Sequence, residues 1–220
     1  MTDSAAAPAE TVPAETVLAE LAAIRVMPVV VIDDPAHAVP LAEALLAGGV
    51  ACAEVTLRTP GALDALEQMA SVAGFLVGAG TVLSEAQAEE CVDRGARFLV
   101  SPGTSAQVIR RAAQRGVACI PGVASATEVM TALAEGVSTV KLFPAGQLGG
   151  PAMIRALRGP FAEVSFVPSG GIDIDNASSF AIDGVLSVST SWIAPRAAVS
   201  QGLFADIIER ARLFREAVAR

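Results

Sequence analysis

Short runs of Val, Ile, Leu and Phe alternate along the chain with longer stretches whose apolar positions recur every three or four residues. The runs predict β-strands and the stretches predict helices with one buried face. Strands are expected over residues 25–32, 50–57, 75–79, 97–100, 117–120, 138–143, 164–167 and 185–188. Seven of these runs follow a glycine, namely Gly49, Gly74, Gly95, Gly116, Gly136, Gly159 and Gly184, at intervals of 20 to 25 residues. That interval accommodates one strand and one helix, so the chain reads as a repeat of βα units.

Two architectures share such a period. A leucine-rich solenoid requires a recurring L-x-x-L-x-L-x-x-N frame, which does not recur here. Eight βα units with apolar strands instead predict an α/β fold of the (β/α)8 TIM barrel type, short in its loops against the usual ~250 residues. Pro13 followed by Glu15 opens an extra N-terminal helix to about residue 23. Residues 1–12, rich in Ala, Pro, Thr and Glu, are expected to form a flexible tail, and 13–220 a single barrel domain.

Composition narrows the function classes. With 53% hydrophobic, 17% charged and only 4% aromatic residues, the chain must build a large core from Ala, Val, Leu and Ile. A net charge of -8 without a basic run repels phosphodiester backbones, so nucleic acid is not an expected partner. Cys52, Cys91 and Cys119 are odd in number and lie in apolar segments, as reduced core residues do. No basic leader precedes residue 15 and no window of ~20 apolar residues follows, which predicts a cytoplasmic protein without a membrane partner. The single His37 sits at a helix start as a surface or capping residue, and its solitude argues against a histidine metal site. No metal or cofactor is expected. Gly78-Ala79-Gly80-Thr81-Val82-Leu83 places a leucine where a dinucleotide fingerprint needs its third glycine, and no phosphate-loop motif occurs.

Of the fifteen Lys plus Arg, fourteen are arginines and one is Lys141, inside the apolar sixth strand. Burial penalises the charged form of an amine, which makes a lone lysine in such a strand a candidate nucleophile. In the second strand the period of two puts Cys52, Glu54, Thr56 and Arg58 on one side. If that side is the interior, a carboxylate and a guanidinium face the barrel mouth, where the strand ends carry catalytic groups. Lys141 and Phe143 share a side by the same parity. Other strand ends read Gly80-Thr81, Ser101-Pro102-Gly103 and Pro121-Gly122, small or rigid turns that let backbone approach a ligand. The seventh strand ends Pro168-Ser169-Gly170-Gly171-Ile172-Asp173, before a helix expected from about Asp175, and the eighth leads into Ser189-Thr190-Ser191-Trp192. Loops after strands seven and eight are the usual phosphate cup of such barrels.

An amine, a carboxylate and a guanidinium at one mouth suit retro-aldol cleavage of a small-molecule 2-oxo acid through an iminium, with Arg58 holding the substrate carboxylate. An isomerase of phosphosugars, with the lysine acting only as a charge, and a non-enzymatic metabolite-binding barrel remain open on fold alone.

Taken in order, His37-Ala38-Val39-Pro40, Glu54-Val55-Thr56-Leu57-Arg58-Thr59, Gly78 to Leu83, Ser101-Pro102-Gly103, Ile120-Pro121-Gly122, Lys141-Leu142-Phe143-Pro144-Ala145 and Pro168-Ser169-Gly170-Gly171-Ile172 resemble a known family. It is the class I 2-keto-3-deoxy-6-phosphogluconate (KDPG) aldolases, which overlap with the 4-hydroxy-2-oxoglutarate (KHG) aldolases. The resemblance implies a lyase of the Entner–Doudoroff pathway that cleaves KDPG to pyruvate and glyceraldehyde 3-phosphate. KHG, split to pyruvate and glyoxylate, is the alternative substrate. It implies Lys141 as the Schiff-base lysine and Glu54 as the general acid/base, acting partly through a water. Arg58, Thr81 and the Pro102 turn would surround the pyruvate portion, Phe143 would pack on it, and Ser169, Gly170, Gly171 and Ser191 would meet the phosphate. A homotrimer is also implied. Two positions depart from the pattern: Ser169 stands where threonine is usual, and Ser189-Thr190 stand where one or two glycines usually precede the serine matching Ser191. Side chains there are expected to narrow the phosphate cup and alter phosphate affinity while the cleavage chemistry stays intact.

Overall fold

The structure, a computed structural model, describes residues 13–219. The tail expected over 1–12 lies outside the described residues. Helix α1 (Ala14–Ile24), with Pro13 at its N-cap, precedes the first strand. The strands are β1 (Val26–Val30), β2 (Cys52–Thr56), β3 (Leu76–Gly80), β4 (Phe98–Val100), β5 (Ala118–Ile120), β6 (Gly122–Val123), β7 (Thr139–Leu142), β8 (Ser165–Pro168) and β9 (Val188–Thr190). Between and after them run α2 (Ala38–Ala47), α3 (Ala62–Ala70), α4 (Glu85–Asp93), α5 (Ala106–Gln114), α6 (Ala126–Ala134), α7 (Pro151–Arg158), α8 (Arg196–Ser200) and α9 (Phe204–Val218).

Every strand pairing is parallel, in a six-stranded sheet of order β5-β4-β3-β2-β1-β9 and a three-stranded sheet of order β6-β7-β8. β1, β2 and β3 are buried at all positions, which is what a parallel sheet covered on both faces requires of its sequence. Side chains such as Leu41, Leu45, Leu66, Met69, Ile109 and Phe214 fill the layer between strands and helices. At Gly48 a β-carbon would collide with Ala211 and the Ile208 carbonyl, so the missing side chain lets α9 close against α2.

The sheets curl around a concave face. Glu54 of β2 and Lys141 of β7 belong to different sheets, yet their side chains meet, so both must point into the curve. On that face the polar side chains of β2 are satisfied by the neighbouring strand: Cys52 Sγ donates to Val26 O at 3.1 Å and Thr56 Oγ1 to Val30 O at 2.9 Å. Isolated parallel bridges join Phe166 of β8 to Val185 ahead of β9, and Ser169, just past β8, to Ser189 of β9.

Most expected strands appear within two residues of their sequence limits. The fifth is followed by a further short strand, β6, in what was read as the Pro121-Gly122 turn, and Pro121, which has no N–H to donate to a ladder, divides the two. The eighth moves from 185–188 to 188–190. Three steps from Phe166 to Ser169 oppose four from Val185 to Ser189, so the chain carries one extra residue, a bulge, before its ladder with β1 begins at Val188. The helix expected from Asp175 is corrected to a single 3-10 turn, Ala177–Phe180, preceded by an Asp173–Asn176 turn in which Asp173 Oδ1 accepts from the N–H groups of Asp175 and Asn176.

All three cysteines are buried, and burial pushes the thiols of Cys91 and Cys119 up to about 12 and raises that of Cys52 as well. Native protein is therefore expected to show no fast-reacting thiol towards a chromogenic disulfide reagent, and guanidinium-unfolded protein all three. A rapid native reaction of any one would contradict this packing.

Candidate active site

The second and seventh strands deliver the two groups that the sequence singled out. Lys141 lies one residue before the end of β7 and Glu54 two before the end of β2. Lys141 Nζ stands 3.0 Å from Glu54 Oε1 and 3.1 Å from Oε2, with the lysine side chain 7% exposed and the glutamate 1%. Such an arrangement can pass a proton between amine and carboxylate, and it keeps an amine at the C-terminal end of a parallel sheet.

Arg58 does not continue the inward face of β2 that Glu54 and Thr56 share. β2 ends at Thr56, the Arg58 N–H turns back to the Thr56 carbonyl at 2.8 Å, and the Arg58 side chain is exposed. Arg58 Nε instead approaches Thr81 Oγ1 at 3.4 Å, and among the described residues its guanidinium has no carboxylate partner. Thr81 adopts the left-handed region, φ 58°, immediately after β3. That conformation is costly for a β-branched residue and sets its hydroxyl beside Arg58.

Pro102 and Phe143 complete the surround. The turn holding Pro102 is pinned by Ser101 Oγ to Gly103 O at 2.7 Å and Thr104 Oγ1 to Gly122 O at 2.8 Å. Phe143 follows β7, and its ring centroid lies 5.6 Å from Lys141 Nζ. Ser169 is buried at the end of β8, while Ser191 is exposed after β9. Gly170 and Gly171 take φ of 95° and 72°, which only glycine adopts without strain. Backbone bonds from Ala145 N to Ser169 O, 2.8 Å, and from Gly146 N to Gly170 O, 2.9 Å, bind the loop after the lysine strand to the glycine turn. Among the described residues the N–H groups of Gly170, Gly171 and Ser191 donate to no protein acceptor.

Two glycines act differently from the sequence reading. Gly80 was expected to admit a ligand, yet a β-carbon there would overlap the Glu54 carboxylate, so its bareness makes room for the ion pair. Gly122 is the register partner of Lys141, and a β-carbon on it would overlap the Pro102 carbonyl, so it seats the Pro102 turn beside the lysine. The signal for Gly80 was present as its place opposite Thr56 on the face shared with Glu54. Asp33, another carboxylate at this end, receives Arg196 Nε at 2.8 Å and a Ser200 hydroxyl at 3.3 Å. The hydrogen bond from Arg196 holds its carboxyl below the usual carboxylate range, so it is already engaged. Among the described residues no group of three His, Cys, Asp or Glu side chains is disposed to hold a metal. A cleft of about 430 Å3 lined by Glu20, Ile24, Phe75 and Arg97 opens at the opposite end, where strands begin.

Three comparisons bear on this geometry. A family model described as KDPG and KHG aldolase matches residues 17–210. A 2-dehydro-3-deoxy-phosphogluconate aldolase of Treponema pallidum is 45% identical over 189 residues, 84% of this chain and 89% of its own. The crystal structure of KDPG aldolase from Legionella pneumophila, with pyruvate captured at low pH as a covalent carbinolamine intermediate, matches with a TM-score of 0.85 at 40% identity, covering 89% of this chain and 96% of that one. A crystal structure of the 2-keto-3-deoxy-6-phosphogluconate aldolase of Zymomonas mobilis with 3-phosphoglycerate matches with a TM-score of 0.82 at 39% identity, over 90% and 94% of the two chains.

The fit of Gly80 against Glu54 yields a stability test. Gly80→Ala is expected to cost about 1–3 kcal/mol by overpacking the pair. Gly103→Ala, where the added carbon meets nothing within 4 Å, is expected to change stability by under about 0.5 kcal/mol. Urea denaturation of both variants measures the difference, and equal midpoints would refute the packing of Gly80.

Proposed function

The chain belongs to the KDPG and KHG aldolase family of carbon–carbon lyases, and on that premise we propose that Lys141 forms a Schiff base with the 2-keto group of KDPG while Glu54 moves the protons of its cleavage. The observation that carries this reading is the buried contact of Lys141 Nζ with both Glu54 oxygens at 3.0 and 3.1 Å. Glu54 takes a proton from the ammonium, and the freed amine adds to C2 of the substrate. Glu54 returns that proton to the carbinolamine hydroxyl, which leaves as water and gives the iminium. The C3–C4 bond breaks with its electron pair drawn into the iminium, the C4 hydroxyl loses its proton to Glu54 through a water, and glyceraldehyde 3-phosphate leaves. Glu54 gives that proton to C3 of the resulting enamine, and water hydrolyses the pyruvate iminium to release pyruvate and restore Lys141. The pyruvate carbinolamine of the Legionella relative is the adduct that precedes such an iminium.

Arg58 holds the substrate carboxylate through paired hydrogen bonds, oriented by the Thr81 hydroxyl 3.4 Å away. The Pro102 turn and the Phe143 ring enclose the pyruvate portion, and Ser169, Gly170, Gly171 and Ser191 receive the phosphate. Unpaired N–H groups at three of those four positions support this, as does the phosphorylated acid held by the Zymomonas relative. KHG is a second substrate on this reading, since its cleavage to pyruvate and glyoxylate uses the same pair and no phosphate site.

The fold and assembly follow the same premise. We infer one domain, a closed eight-stranded (β/α)8 barrel with α1 as an extra helix and β5 and β6 as one interrupted strand. The Phe166–Val185 and Ser169–Ser189 bridges and the bond from Lys141 N to Pro121 O at 2.8 Å support closure. The assembly is a homotrimer, supported by apolar side chains that a monomer leaves in water, Met130 and Leu133 on α6 and Leu83 after β3. Its location is cytoplasmic; no described helix is long and apolar enough to cross a membrane.

Borohydride reduction in the presence of pyruvate is expected to leave a stable adduct on Lys141, located by peptide mass spectrometry. An isomerase or a simple binding protein would leave none. Lys141→Arg is expected to abolish turnover, because a guanidinium that stays protonated cannot form the iminium; residual wild-type-like cleavage in a pyruvate-coupled assay would reject covalent catalysis. Glu54→Gln is expected to lower kcat by about 10²–10⁴-fold in the same assay.

A further inference from the structure

The sequence reading expected Ser189 and Thr190 to crowd the phosphate end. The Thr190 side chain does something else. Its hydroxyl, on a residue only 3% exposed, donates to the Ile172 carbonyl at 2.6 Å and accepts from the Trp192 N–H at 3.0 Å. Ile172 closes the Gly170-Gly171 turn and Trp192 follows Ser191, so one hydroxyl joins the two loops that carry the phosphate-binding groups. Arg210 of α9 secures the other side of Trp192, donating to its carbonyl at 3.0 Å and stacking 4.7 Å from its ring. Both backbone polar groups of Trp192 are thereby taken, and the Ser191 N–H and hydroxyl remain as the contribution of the β9 loop.

We propose that Thr190 is a positioning residue that staples the Gly170-Gly171 and Ser191-Trp192 loops into a preformed anion cup, and so sets the discrimination between phosphorylated and unphosphorylated 2-oxo acids. The proposal rests on the assignment of these loops to the phosphate. Its physical basis is preorganisation: loops held together before binding lose less freedom when the anion arrives. Removing the hydroxyl also strands the Ile172 carbonyl and the Trp192 N–H, which can be satisfied again only if the loops move. Ser189 is inward-facing by register, opposite Met27 on β1 and Ser169 just past β8, and its buried hydroxyl has no protein partner, so it takes no part in the staple.

Thr190→Val keeps the shape and removes the hydroxyl; Thr190→Ser keeps the hydroxyl. Calorimetric titration of the full chain with inorganic phosphate, and KM and kcat on KDPG and on its dephosphorylated counterpart, test the idea. Thr190→Val is expected to weaken phosphate binding and raise KM for KDPG about tenfold, to change kcat far less, and to shift KM for the dephosphorylated acid far less than for KDPG. Thr190→Ser is expected to restore most of the loss. Should the valine variant fail to fold, Thr190→Ala carries the same expectation. Equal losses on both substrates, unchanged phosphate affinity, or no phosphate binding by the wild type even at high millimolar concentration would overturn the proposal. A wild type that binds phosphate but cleaves neither acid would instead overturn the assigned reaction, and the calorimetric comparison would still decide the role of Thr190.

Discussion

The buried contact between Lys141 and Glu54 is the interaction on which the rest of the site depends. Removing an ammonium and a carboxylate from water costs several kcal/mol per ion, and only close, well-directed contact offsets it. The offset exists here because strands of two different sheets, curled around one concave face, hold the groups at 3.0 Å. Backbone on both sides is fixed by parallel ladders, Glu54 between Val29 and Gly78 and Lys141 between Gly122 and Val167. Neither side chain can relax into solvent, so each is available to the other and to whatever enters between them.

That constraint accounts for small residues that look incidental. Gly80 is bare because the Glu54 carboxylate occupies the volume of its side chain, and Gly78 because the Phe98 ring occupies its own. Gly122 is bare because the Pro102 carbonyl leans over it. In each case a missing methyl group positions a larger neighbour. The interior is thereby shaped around one polar pair while the outer faces of the same strands bury an ordinary aliphatic core.

The loops past the strand ends form a second, linked layer. The segment after Lys141 is bonded to the glycine turn through Ala145 and Gly146, and that turn is bonded to the last loop through Thr190. A ligand that touches the far end of the mouth is therefore mechanically connected to the strand that carries the amine. The surface outside this region is held by ion pairs such as Arg94 with Asp64 and Arg110 with Glu135, exposed pairs that contribute little individually.

Local pattern was enough for most of the elements and for picking out the amine and carboxylate that meet at the centre. The spacing of glycines revealed the βα repeat, a lone lysine in an apolar strand singled out the buried amine, and the period of two put Glu54 on a polar face. These are short-range properties, set by backbone geometry and by the cost of burying charge. The sequence placed an amine, a carboxylate and a guanidinium at one mouth, but direct contact between Glu54 and Lys141, 87 residues apart, was decided only by the fold. Nor could the sequence foresee that β2 would end at Thr56 and turn Arg58 outward, that Val185 to Ser189 would contain a bulge, or that Gly80 would serve a side chain instead of a ligand. The Thr190 hydroxyl makes the same point. From sequence it is added bulk beside an anion site; in the fold it joins Ile172 and Trp192. The sequence by itself determined which residues could do chemistry and roughly where along the chain they stand. Curvature and register decided which of them touch, because those depend on every strand at once.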